Sequence, residues 1–186
     1  MNEQLQMLEV VDDNDNIIGL ETRKKVHEKG LLHREIHIWF ITPSGEAIFQ
    51  HRSKSKDTYP DKLDAAVGGH VEPNMSYEET AIKECYEETG IKIDPTKLVF
   101  ITKMKRESSD KASSHINNAI RSQYAFLYDG STSDLKIEGG ESYGFEAWKI
   151  DDLSHLSEID RNKFIPHILG NEVINVLNKA KELLSV

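Results

Sequence analysis

Cys85 is the only cysteine in the chain, so no internal disulfide can staple it, and its place among helix-forming residues suits a packed thiol. No uninterrupted apolar run approaches the roughly 18 residues that a membrane span requires. The opening residues, MNEQLQMLEV, lack the basic-then-apolar pattern of an export signal. Basic residues are outnumbered, 23 Lys and Arg against 32 Asp and Glu, which argues against a surface for non-specific nucleic-acid binding. There is no internal repeat and no low-complexity tract. These absences predict a soluble, cytoplasmic protein with neither a nucleic-acid nor a membrane partner. At 186 residues, a single domain spanning 1–186 is expected, with enough chain for a good core.

What is present concentrates in one stretch, GGHVEPNMSYEETAIKECYEETGI, residues 68–91. Ser76 followed by Glu79 is a capping-box start, and Gly90 is a helix stop. Between them Glu84, Glu87 and Glu88 fall at i, i+3 and i+4, so three carboxylates share one helical face. Ile82 and Tyr86 point the other way, toward an expected core. Stacked carboxylates repel one another, and a hard divalent cation such as magnesium turns that repulsion into binding. The other reading is a solvated face on which Lys83 pairs with Glu79 and Glu87. Before the helix, Ala65-Ala66-Val67 reads as a strand that Gly68 and Gly69 end in a loop, where backbone can approach a ligand.

This segment resembles the signature of the Nudix hydrolases, G-x5-E-x7-R-E-U-x-E-E-x-G-U with U a bulky apolar residue. Laid from Gly69, the pattern meets Glu84, Cys85, Glu87, Glu88, Gly90 and Ile91. Met75 stands where the family has Glu, and Lys83 where it has Arg. The resemblance implies an α/β fold, the Nudix α/β/α sandwich with a mixed sheet, over nearly the whole chain. The Nudix box would be 69–91, and the helices at about 158–185 a C-terminal extension, the last of them looser. It also implies Mg2+, with Mn2+ a substitute, held by Glu84, Glu87, Glu88 and the Gly68 carbonyl. A carboxylate must take the proton from water; Glu87 in the helix and Glu141 on a late loop ahead of Trp148 are the candidates. Arg at the Lys83 position orients a neighbouring glutamate in the family, so Lys83 inherits that role.

The flanks, VDDNDNIIGLETR, LHRE, QHRSKSK, YP and GGH, resemble the branch similar to isopentenyl-diphosphate isomerase. That resemblance places Arg23, Arg52 and Lys56 on the substrate diphosphate, which suits the forked contacts of Arg and the point charge of Lys. It matches His27, His33 and His70 to the isomerase's histidine ligands, with the His27-to-His33 spacing one residue short; His70 is also expected at the substrate. Gly68 occupies the place of the isomerase's cysteine. Asp110 alone stands between Glu107 and Asp129, so the isomerase's carboxylate pair is missing too. The preferred reading is a hydrolase of a small-molecule diphosphate. An isomerase-like enzyme and a catalytically weakened diphosphate-binding sensor are the alternatives. The partners expected are a small-molecule diphosphate and a second copy of the chain, as a homodimer.

The remaining elements follow from turn chemistry. Strands are expected at 7–11 and 17–20 around Asp12-Asp13-Asn14-Asp15-Asn16, read as a turn because a closing Glu for a calcium loop is missing. Thr22 caps a short helix that ends near Gly30. A hairpin spans 36–42 and 46–51, with a polar loop at 53–62. Further strands are expected at 98–104, 122–128 and 145–150, with a polar loop at 107–114. Helices are expected to open at Asp151 and to span 159–169 and 173–184.

Overall fold

The computed structural model describes residues 5–56, 58–110, 115–137, 139–140 and 142–186. The chain opens with a hairpin, β1 (Met7–Val11) and β2 (Ile17–Thr22). Its turn is organised by Asp12, whose Oδ1 accepts the backbone N–H groups of Asn14 and Asn16 at 2.8 and 2.9 Å. This is an Asx-type turn, as the composition of the loop predicts. Helix α1 (Arg23–Lys29) starts where Thr22 Oγ1 accepts the Lys25 N–H, and stops at Gly30 in the left-handed conformation.

Strand β3 (His33–Ile41) is the hub. It runs parallel to β8 (His115–Leu127), from His33 opposite Ala119 to Ile41 opposite Leu127. Its antiparallel partners change along its length. His33 meets β1, Glu35–Ile38 meet β6 (Val67–His70), and Phe40–Ile41 meet β4 (Glu46–Arg52). Strand β4 leaves β3 to pair with β5 (Leu63–Ala65) and β9 (Ser142–Lys149). The segment from β5 to β6 therefore bridges a fork in the sheet, and it is the segment that carries Gly68 and Gly69. The remaining strand, β7 (Val99–Asp110), pairs with β8.

Each face of the sheet is covered. Helix α2 (Tyr77–Thr89) packs Ala81 and Cys85 against Ile36, Ile38, Phe40, Ile48 and Val67. Helix α4 (Asn171–Leu184) packs Val173, Val176, Leu177 and Ala180 on the opposite face, against Trp39, Ile41, Ala47 and Phe49. The result is the expected α/β/α sandwich. Among the described residues no helix is long and apolar enough to cross a membrane.

Several expectations are corrected. Tyr86 is half exposed rather than in the core, and the buried stripe of α2 is Thr80, Ala81, Cys85 and Thr89. These are small side chains, and they let the helix lie close to the sheet. Gly68 and Gly69 sit inside β6 rather than in a loop. Glu107–Asp110 extend β7 instead of forming a loop, because the long ladder with β8 satisfies their backbone; the rest of that expected loop, 111–114, lies outside the described residues. The helix expected at 159–169 is cut to α3 (Glu158–Arg161), since Pro166 holds Ile165 extended; a 3-10 turn follows at Pro166–Leu169. Finally, α4 is no loose extension: four of its side chains are 4% exposed or less.

Candidate active site

Both ends of α2 are fixed locally. Ser76 Oγ accepts the Glu79 N–H at 3.2 Å while a Glu79 carboxylate oxygen accepts the Ser76 N–H at 2.8 Å, and Gly90 ends the helix at φ 74°. This register turns Glu84, Glu87 and Glu88 to one side. Glu84 lies over Gly69, so closely that a Cβ there would be 2.8 Å from its Cγ and Cδ. Glu88 accepts a hydrogen bond from Gln50 Nε2 of β4 at 2.9 Å. Glu87 takes one from Lys83 Nζ at 2.7 Å, and the same ammonium stands 3.2 Å from Glu72 and 3.7 Å from Glu84. Burial would lower the Lys83 pKa, but the Glu87 hydrogen bond and the surrounding carboxylates raise it above the usual range. Glu79, an expected partner of Lys83, is instead spent in the capping box. Met75, the other departure from the signature, packs against the apolar cluster under α2.

A cavity of about 820 Å³ opens at the fork in the sheet. Gly68, Lys83, Glu84, Glu87 and Glu88 line it, and so do Arg23, Arg52, Lys56 and His70. Glu141, the alternative proton acceptor, lies outside the described residues. Arg52 is partly committed, donating to Asp64 at 3.3 Å and to the Thr58 carbonyl at 2.9 Å.

Glu35 and His37 of β3 also line the cavity, on the strand face that His33 shares. His33, His27 and His70 bring one ring nitrogen each to within 4.8 Å of the others. His33 Nδ1 lies 3.0 Å from the Leu31 carbonyl, and His27 Nδ1 lies 3.3 Å from the Ile116 carbonyl. With Nδ1–H donated to those carbonyls, His27 Nε2 is left to accept from His70 Nε2, 3.0 Å away. Burial and the neighbouring imidazoles push His27 down to about 4, and burial takes His70 well below its usual value, so both are neutral. Glu35 faces the cluster 3.5 Å from His33 Nε2 and 3.6 Å from His70 Nε2. Burial would raise its pKa, but Arg121, which donates two hydrogen bonds to it at 2.6 and 3.0 Å, holds it well below the carboxylate range. A group of three imidazoles suits a borderline metal, while the carboxylates of α2 suit a hard one. The buried His33 Nε2, with no hydrogen-bond partner among the described residues, fits the first reading.

Glu35, His37, Asp64, Arg121 and His167, all on the cavity, escaped the sequence reading. The period-two run His33-x-Glu35-x-His37, ahead of an apolar strand, was the available signal for two of them. Arg121 reaches the site only through parallel pairing opposite Glu35. Burial pushes His167 down to about 4, with Arg121 and Arg106 acting in the same sense. An unfolded chain binds this proton below about pH 6.5 and the folded one only near 4, so the contribution is intact above 6.5 and lost as pH falls toward 4. It amounts to about 3 kcal/mol at most. His167→Gln is expected to flatten stability against pH across that window, measured by urea unfolding from pH 7 to 4; an unchanged slope would count against a buried neutral His167.

Comparison with known proteins yields a consistent picture. Residues 31–168 match the NUDIX domain family. An uncharacterized Nudix hydrolase of Clostridium acetobutylicum is 31% identical over an alignment covering 89% of this chain and 92% of that protein. Human isopentenyl-diphosphate delta-isomerase 2 is 32% identical, over 52% of this chain and 50% of its own length. The crystal structure of DR0079 from Deinococcus radiodurans superposes with a TM-score of 0.66 at 20% identity, covering 94% of this chain and 99% of the other.

Proposed function

The chain belongs to the Nudix hydrolase family, and from that premise we propose that it is a magnesium-dependent hydrolase of a small organic diphosphate. The observation that carries the reading is the meeting of Glu84, Glu87 and Glu88 with Arg23, Arg52 and Lys56 on one cavity. In this reading Glu84, Glu87, Glu88 and the Gly68 carbonyl hold the ion. When bound, magnesium, or manganese in its place, would neutralise diphosphate oxygens and ready a water for attack on phosphorus. Arg23, Arg52 and Lys56 grip the diphosphate, and His70 borders it. Glu87 accepts the proton released by water, with Glu141 the alternative.

Lys83 holds Glu87 and Glu84 in place. A guanidinium there would fix direction better than an ammonium, whose charge is rounder and whose stem is more mobile. Lys83→Arg is therefore expected to raise turnover, and Lys83→Ala to lower it about ten-fold through misplaced carboxylates, with little change in stability. Steady-state kinetics on both variants checks this. A harmless alanine with no gain from arginine would reduce Lys83 to a surface ion pair.

The histidine cluster favours a second reading, the isomerase. Against it stands Gly68, which has no thiol to offer, and no thiol fits easily. A Cβ at this position would lie 3.1 Å from His37 Cδ2 and 3.3 Å from its Nε2. Incubation with isopentenyl diphosphate and magnesium is expected to yield no dimethylallyl isomer, while a panel of organic diphosphates releases phosphate. Isomer formed above background would reverse the preference. Diphosphates that bind without turnover would select the sensor.

A further inference from the structure

Strand β2 closes one end of the sheet. Among the described residues it pairs with β1 alone, so no strand meets its outer side. Its side chains are unusual for such a place. Ile17, Ile18 and Leu20 are 54%, 66% and 54% exposed. Leu5 and Met7 lie nearby in sequence, and these five are nearly half of the twelve large apolar side chains exposed among the described residues. Ile18 and Leu20 fall on one face of the strand, which Met7 shares from its position opposite Thr22. Scattered exposed apolar residues are ordinary, whereas a cluster of them marks a contact surface.

Open edges invite pairing, and proteins ordinarily blunt them with charge or proline. The edge strand β7, which pairs only with β8, is blunted in this way by Lys103, Lys105, Arg106 and Glu107. Strand β2, Ile17–Thr22, contains no lysine, arginine or proline. Its single charge, Glu21, is engaged with Lys25 at 3.2 Å. This edge is left able to pair.

The residues flanking β2 favour a second copy of the chain as the partner. The turn ahead of the strand is acidic, with Asp12 and Asp13, and the helix behind it opens with Lys24 and Lys25. Two copies joined antiparallel about a twofold axis set the acidic end of each beside the basic end of the other. Such an axis passes through a residue that meets its own copy. With Gly19 on the axis, Ile18 of each copy faces Leu20 of the other, and Asp13 lies level with Lys25. With Ile18 on it Leu20 would face Asn16, and with Leu20 on it Ile18 would face Thr22. These charges also have partners in their own chain, Asp13 with Lys105 at 2.5 Å and Lys24 with Glu28 at 3.7 Å. Such pairs lie on the surface, where exchanging one partner for another costs little.

We propose that the protein pairs with a second copy of itself through β2, antiparallel and centred on Gly19, so that one sheet continues across the dimer. A six-residue strand with its flanks falls short of the roughly 800 Å² per partner of a stable interface, so the association is reversible with concentration. The claim is independent of the diphosphate reading, since none of Ile17, Ile18, Gly19 and Leu20 lines the cavity.

Sedimentation velocity on the full chain, over about a hundred-fold range of concentration, reads the balance of monomer and dimer. The parent is expected to shift toward dimer as concentration rises. Ile18→Lys and Leu20→Lys, which each set an ammonium into the seam, are expected to weaken association at least about ten-fold with the melting temperature unchanged. Gly19→Cys tests the geometry. A Cβ there has room, its nearest neighbour being Val10 Cβ at 4.0 Å, and the native Cys85 is fully buried. Diamide, by accepting the two thiol hydrogens, is expected to join Gly19→Cys chains through a disulfide. Ile159→Cys, exposed but outside the strand, should stay monomeric under the same treatment. A parent that is monomeric throughout, or a dimer indifferent to both lysine substitutions, would overturn the proposal. So would cross-linking of Gly19→Cys no faster than that of Ile159→Cys, the comparison that decides if the lysine variants fail to fold.

Discussion

Glu88→Gln is expected to lose at least about a hundred-fold of magnesium-dependent turnover while its unfolding free energy stays within about 1 kcal/mol of the parent. The substitution keeps the shape of the side chain and an oxygen that can still accept from Gln50 Nε2, now 2.9 Å from the carboxylate. It removes a full negative charge from a face that also carries Glu84 and Glu87. Hard cations are held by charge and by oxygen count, so the deficit falls on the ion and not on the fold. Repulsion among the remaining carboxylates even falls, which argues against destabilisation. Kinetics with magnesium and with chelator, beside a urea melt, separates the outcomes. Unchanged turnover would remove Glu88 from the site, and loss of the fold would make it structural.

Gly69→Ala is expected to cut turnover at least about ten-fold for a steric reason. The added Cβ would stand 2.8 Å from both Cγ and Cδ of Glu84, distances that real Cβ atoms do not hold. Glu84 is a flexible side chain at the edge of a cavity, so it can swing away. The backbone of β6 stays paired to β3, where Gly69 faces Ile36. The displaced carboxylate would leave its present place beside Glu87 and Glu88 on the cavity wall, and misplacement by about an ångström is enough to cost rate. The measurement is kcat/KM together with the melting temperature. Activity at the parent level would mean that Glu84 works from another position or not at all.

How far the chain could be read depended on how local the cause was. The ends of α2 follow from Ser76, Glu79 and Gly90, whose capping bonds span four residues or fewer, and these ends appear as expected. The carboxylate face comes with them, because helical register carries it. The buried side of the same helix was misjudged. Ile82 and Tyr86 are the larger side chains, yet Ala81 and Cys85 face the sheet, where close approach matters more than apolar area. The facing ends of β7 and β8 pair Glu107 with Asn118 and Asp110 with His115, close in sequence, yet the run Glu107–Asp110 is polar throughout and carries none of the apolar alternation that marks a strand. The role of α4 as a full layer depends on Trp39 and Phe49, which are remote in sequence.

The cavity shows the same division. His27, His33 and His70 could be named from resemblance, but Glu35, which faces His33 and His70, meets its clamp Arg121 only through pairing of β3 with β8. His37 and Asp64 were hidden in strands whose neighbours are apolar. His167 lies in a stretch expected to be helical until Pro166 interrupts it. Gly68 illustrates the reverse: a missing thiol was visible in the sequence, and the structure supplies the reason, the His37 ring lying against it.

In the proposed reaction, water attacks phosphorus at the carboxylate face of α2 with magnesium bound. The most direct test is turnover of a diphosphate panel in water enriched in oxygen-18, followed by mass spectrometry of the products. One labelled oxygen on a phosphate group is expected for each bond cleaved, with dependence on magnesium, and both are expected to be lost in Glu88→Gln. Label on the organic alcohol, product formed equally with chelator, or no cleavage of any diphosphate would contradict it.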